Sequence, residues 1–157
     1  MEINRVWAMP NKKTFQIKPI KELIEKEKGN EDWLDLFPYP YFKDALKVLS
    51  NIEDNSIIGV LFDPPYSPRQ LKECYDNLGQ SLTSLDTSSH TWKCWKDETA
   101  RVIKPNGKCI SFGWSSNGIG KGRGFKIEKI LLVAHGGNHN DTICVVERKV
   151  DRRDNYG

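Results

Sequence analysis

The chain has 157 residues, 38% of them hydrophobic and 29% charged, with 24 basic against 21 acidic side chains for a net charge of +3. That length suits one domain with a real core and is too short for two ordinary ones; the mild basicity admits nucleic acid as a partner without requiring it. No apolar stretch has the length of a membrane span, and the start has no signal-peptide pattern, which excludes the membrane as a partner.

Residues 1–16 carry Trp7, Met9, Pro10 and Phe15 among polar residues with no period, and read as an extended arm packing by its aromatics. Pro19 opens a helix to Lys28, with apolar residues at 20, 23 and 24, and Gly29 stops it. Its glutamates and lysines read as a solvated face. Trp33–Phe37 is a candidate short strand, broken by Pro38-Tyr-Pro-Tyr41, and Phe42–Leu49 a short helix. Ile57-Ile-Gly-Val-Leu-Phe62 is apolar and β-branched, too short for a helix, and reads as a central buried strand. A helix is expected from Pro68 to about Leu78, a loop over 81–89 and a helix from Trp92 to Val102. Pro105-Asn-Gly107 is a turn, and strands follow at Lys108–Phe112, Phe125–Ala134 and Thr142–Glu147. This order predicts an α/β sheet ending in a hairpin, in one domain over residues 1–149 with a frayed charged tail at 150–157.

The central strand ends at Asp63-Pro64-Pro65-Tyr66. Neither proline can donate to a ladder, so Asp63 and Tyr66 sit at the carboxyl end of the strand, the edge where open α/β sheets bind ligands. The Asp63 carboxylate and the Pro64 carbonyl are both acceptors and can face one amino group with two hydrogens, while Tyr66 offers a flat face to a base. An exocyclic amine on a planar ring fits that description.

Asp63-Pro64-Pro65-Tyr66 resembles the catalytic motif of amino-group DNA methyltransferases, Asp/Asn/Ser-Pro-Pro-Tyr/Phe/Trp. Asn4-Arg-Val-Trp-Ala-Met-Pro, Asp63-Pro-Pro-Tyr-Ser-Pro-Arg-Gln, Phe112-Gly-Trp-Ser-Ser-Asn-Gly and His135-Gly-Gly-Asn-His-Asn-Asp-Thr-Ile resemble a phage and mobile-element group of adenine-specific (N6) DNA methyltransferases. The resemblance implies a class I, Rossmann-like fold, S-adenosylmethionine as cofactor, DNA as partner and a cytoplasmic location. It implies that Asp63 and Pro64 hold the amine, that Pro65 shapes the turn and that Tyr66 stacks on a flipped adenine. Lys18 and Pro19 would lie near the cofactor, Asp44 beside its adenine, and Asp35 would be the remnant of either the first-strand or the second-strand acid. Ser67 would fix the turn, and with Arg69, Lys121 and Arg123 would meet the DNA.

The glycine-rich turn that normally cradles this cofactor is missing: Trp33 to Asp44 contains no glycine. The stretch from Asp35 to Asp44 is therefore expected to cross the space where the cofactor would lie or to leave the sheet one or two strands short, with weak or no binding of S-adenosylmethionine by the chain alone. The alternative function is an inactive methyltransferase-like regulator or counter-defence factor that binds DNA, a protein partner or itself. Gly118-x-Gly-x-Gly-x-Gly124 fits neither phosphate-binding spacing and reads as a flexible loop rimming the site. His135-x-x-x-His139 with Asp141 has metal-like spacing but reads as a hydrogen-bonded turn, so no metal is expected. The four cysteines, Cys74, Cys94, Cys109 and Cys144, form no Cys-x-x-Cys and read as reduced thiols.

Overall fold

The computed structural model describes residues 1–39, 44–65 and 89–151. The strands among the described residues are β1 (Glu2–Trp7), β2 (Leu34–Asp35), β3 (Ile57–Phe62), β4 (Ile103–Gly113), β5 (Phe125–Ala134) and β6 (Thr142–Lys149). The helices among the described residues are α1 (Lys18–Lys28), α2 (Ala45–Ser50) and α3 (Ser89–Val102). The strands form one sheet in the order β1-β5-β6-β4-β3-β2. β1 runs parallel to β5, and β2, β3 and β4 are mutually parallel, whereas β6 is antiparallel to both of its neighbours. This is the α/β sheet with a closing hairpin that the element order predicts and the Rossmann-like architecture that the resemblance implies, and among the described residues its last strand is the two-residue β2.

Successive residues of a strand face opposite sides, and both sides of β3 are covered, which explains its unbroken apolar run. Val60 and Phe62 join Leu49, Trp95, Val102 and Cys109 in the core beneath α2 and α3. Leu61 joins Ile110, Phe112, Val146, Ile20 and Ile24 in the core beneath α1. Phe62 and Phe112 are fully buried, each contributing roughly 2–3 kcal/mol by removal from water.

Polar groups fix the helices in place. Arg101, near the end of α3, donates to the carbonyls of Leu49 and Ile52 at 2.8 Å and pairs with Asp54, tying α2 and its following turn to α3. On α1, Glu27 is not the solvated residue its pattern suggests. Its side chain is 5% exposed and receives Lys108 at 2.8 Å and Lys129 at 2.7 Å from the sheet.

Two further expectations change. The arm at residues 1–16 is not merely extended, because Glu2–Trp7 adds a parallel edge strand along β5. The turn at Pro105–Gly107 lies inside β4, where the pairing with β3 shifts between Ile57 and Gly59. Asn106 has φ 69°. A side chain at Gly107 would meet Ile103 and the carbonyl oxygens of Ile58 and Lys104 at 2.7–2.8 Å, so only glycine allows that approach. The helix expected from Pro68 and the loop over 81–88 lie outside the described residues, as does most of the tail.

Candidate active site at the carboxyl edge of the sheet

β3 carries Asp63 to the carboxyl edge, and Pro64 and Pro65, both buried, end its ladder. β2 ends at Asp35, which is level with Leu61 on β3, so the two acids lie on adjacent parallel strands at one edge. Asp63 as a whole residue is half-buried, but its carboxyl is deeply enclosed. Burial, reinforced by the charge of Asp35, raises its pKa to about 7 against a hydrogen bond from the Thr14 side chain that lowers it. Burial also raises Asp35, partly offset by a hydrogen bond from the Phe37 backbone. The Asp35 Oδ1 is buried without a hydrogen-bond partner, an arrangement that favours a cationic or donor group beside it.

Thr14 comes from far away in sequence. It begins a one-turn 3-10 helix, Thr14–Gln16, whose Phe15 packs on Phe112 with ring centroids 5.0 Å apart. Phe112 follows Ser111, the β4 partner of Phe62, and is itself paired with Cys144 on β6. Aromatic packing therefore seats the arm over the ends of β3 and β4. The Cys144 thiol is pushed up by burial and by the nearby Asp63 charge. Thr14 and Cys144 carry no local signal of their place beside Asp63, because the contacts that bring them there are long-range.

The remaining candidates divide. Lys18 is exposed at the first turn of α1, beside the half-buried Pro19. Asp44 is the N-cap of α2, its Oδ1 accepting from the backbone of Leu46 at 3.1 Å and Lys47 at 3.3 Å. Tyr66, Ser67 and Arg69 lie outside the described residues.

Lys121 and Arg123 are at the opposite edge. The loop that carries them leaves β4 at the carboxyl edge, crosses the sheet and enters β5 at the amino edge, where Val150 N donates to Gly124 O at 2.8 Å. From Val145, level with Phe62, to Val150 is five residues of β6, about 17 Å along the strand. Arg123 is also engaged by Asp97 at 2.7 Å. The glycine-rich segment is thus no rim of the Asp63 site. It is pinned to the sheet by the buried Glu147, which accepts from Ile119 N at 2.7 Å and Gly120 N at 3.0 Å.

His135 is buried at the carboxyl edge between β5 and β6. Its Nδ1 bonds the Ala8 carbonyl at 2.9 Å and its Nε2 the Thr142 hydroxyl at 2.8 Å, so both ring nitrogens serve the turn. Cys94, Cys109 and Cys144 are free thiols. No helix among the described residues is long and apolar enough to cross a membrane.

No family model matches the chain. A curated relative, the type II methyltransferase M.HpaI of Haemophilus parainfluenzae, is 33% identical over 75 residues, covering 44% of this chain and 21% of that protein. Among solved structures, a candidate DNA modification methylase of Thermus thermophilus, complexed with S-adenosyl-L-methionine, matches 75% of this chain and 53% of its own at 14% identity and a TM-score of 0.47. The 1,6-didemethyltoxoflavin-N1-methyltransferase of Burkholderia thailandensis matches 66% and 48% at 10% identity and a TM-score of 0.44. The chain spans about a fifth of the curated relative and about half of each solved structure. Both TM-scores lie below 0.5, so the fold assignment rests on this chain's own strand order.

Proposed function

We propose that this chain transfers a methyl group from S-adenosylmethionine to the exocyclic amine of adenine in DNA. The carrying observation is the placement of Asp63-Pro64-Pro65 at the carboxyl edge of a central parallel strand, with a second, partly buried acid alongside. The match to a type II methyltransferase supports DNA as the substrate. The motif resemblance favours adenine.

The site residues fit one end of the cofactor. S-adenosylmethionine carries a sulfonium and an ammonium, and the site offers two carboxyls withdrawn from water, one with an oxygen lacking a partner. The ribose end is less well served. No glycine lies between Gly29 and Gly59, and the Asp44 carboxylate is occupied by the α2 cap. When bound, the cofactor would supply an electrophilic methyl group.

The chain's own residues would hold the amine. A base must leave the duplex before its amine can be reached. Asp63 and the Pro64 carbonyl then accept its two N–H bonds, which aims the nitrogen lone pair outward, with Tyr66 as the stacking face. Most of the rate enhancement comes from this positioning. Once the nitrogen carries the methyl it must lose a proton, and a carboxyl with a pKa near 7 can take it.

The test is nucleoside mass spectrometry after incubation with S-adenosylmethionine and mixed-sequence DNA. N6-methyladenine is the expected product. N4-methylcytosine instead would keep the amine chemistry and overturn the base. The absence of both would overturn the activity.

A further inference from the structure

Two stretches of the chain are basic and free of acids, residues 5–21 and 99–127, and in the second Arg101, Lys108 and Arg123 are committed to ion pairs. Between Arg5 and Lys21 lie Arg5, Lys12, Lys13, Lys18 and Lys21 and no acidic residue, so the rest has 19 basic against 21 acidic side chains and is net negative. All five residues are exposed. None takes part in the ion pairs of the described residues, which use lysines and arginines from Arg101 onward.

The fold lays this segment along the edge that carries Asp63. Its start is anchored beside the end of β5, where Ala8 N donates to Ala134 O at 3.0 Å and the Ala8 carbonyl bonds His135. Its end is anchored over β3 and β4 by Phe15 packed on Phe112, which brings Thr14 near Asp63. Between these anchors it passes the ends of β6 and β4 in the strand order. It also carries exposed apolar surface: Trp7 is 64% and Met9 68% exposed. The Trp7 indole lies beside the backbone of Gly136, where an added side chain would meet its Nε1 at 3.3 Å.

Exposed lysines interleaved with an exposed indole, on a strip leading to an acceptor pair, match a nucleic-acid strand: phosphates for the ammonium groups and a base face for the ring. We infer that residues Trp7–Lys18 form the nucleic-acid-binding face of this protein, with Lys12, Lys13 and Lys18 on phosphates and Trp7 stacked on a base. This deepens the proposed function by naming the surface that delivers the strand to Asp63, in place of the glycine-rich segment at the opposite edge. An acidic protein would satisfy the lysines but gives Trp7 no stacking partner.

The experiment is fluorescence anisotropy with a fluorescein-labelled adenine-containing oligonucleotide, single-stranded and in duplex, over a series of salt concentrations and without S-adenosylmethionine. Replacing the three lysines together (K12Q, K13Q, K18Q) should lower the log–log salt slope by about two to three and weaken binding at least roughly tenfold. Trp7→Ala should weaken single-strand binding by roughly 5- to 100-fold. The pair K121Q and K126Q, on exposed residues at the amino edge, should change neither. The inference is overturned if the parent binds neither oligonucleotide, if the arm variants bind like the parent, or if the amino-edge pair loses as much as the arm. A parent that binds through the arm yet never methylates DNA leaves this surface standing and removes the proposed activity. Methylation with arm-independent binding does the reverse.

Discussion

Asp63 is held in a state its fold does not favour when ionised. Its ordinary pKa of 3.8 is raised to about 7 by burial and by Asp35. A carboxyl that binds protons more tightly when folded stabilises the protein least at high pH. Its unfavourable contribution therefore grows as pH rises from near 4 to near 7, reaching at most about 4 kcal/mol for a shift of roughly three units. Asp63→Asn removes that cost while keeping one acceptor oxygen. Denaturant melts should show the variant more stable than the parent at about pH 8 and nearly equal at about pH 4. An equal difference at both pH values would contradict the assignment. In methyl transfer, parent activity should fall as pH drops through about 7, because only the ionised Asp63 accepts both an N–H bond and, later, a proton. The sequence made the place of Asp63 legible, since two prolines after an apolar run can only end a strand. It could not show Thr14, whose approach to Asp63 joins distant parts of the chain and leaves no periodic trace.

Between elements, buried carboxylates hold segments that look mobile in sequence. The run Gly118–Gly124 suggests a flexible loop by composition, yet Glu147 grips its backbone from β6. Gly118 has φ +58°, and a side chain there would collide with the Glu147 carboxylate. Gly118→Ala should cost about 2–4 kcal/mol by combining backbone strain with displacement of a buried, hydrogen-bonded carboxyl group. A change in unfolding free energy below about 1 kcal/mol would show that the loop can move aside. Glu27 acts similarly for α1. Burial alone would raise its pKa, but Lys108 and Lys129 outweigh that and hold it below the ordinary value. Its stabilisation is thus present above the ordinary carboxylate range and is lost as pH falls through the lowered folded value. Glu27→Gln should destabilise the protein by roughly 1–3 kcal/mol at neutral pH and by progressively less in acid, checked by melts across that range. Helix and strand periods located α1, α3, β3, β5 and β6. They said nothing of Glu27, because a charged residue on a helix carries the same letter whether it meets solvent or two lysines. Nor did they reveal β1, whose alternation is weak because it is an edge strand exposed along nearly its whole length.

At the scale of the whole molecule, the sheet's last strand among the described residues has two residues. The absence of glycine from Trp33 to Asp44 was the signal in the sequence for an unusual edge there. Phe37, where a cofactor turn would need backbone space, instead packs edge-on against Phe62 and Trp95. S-adenosylmethionine should therefore bind the chain alone with a Kd well above micromolar, and calorimetry with and without DNA checks this. Micromolar affinity without DNA would mean that a ribose-binding turn forms from residues outside β2 and α2. The most direct test of the central claim is single-turnover methyl transfer at saturating S-adenosylmethionine, comparing the parent with Asp63→Ala on the same adenine-containing DNA. The parent should place methyl groups on adenine N6, and the variant, still folded by its thermal melt, should be slower by roughly 10²–10³-fold, the scale of losing one positioned acceptor or donor. Equal rates, or no transfer by the parent, would contradict the assignment of this edge as the reacting one.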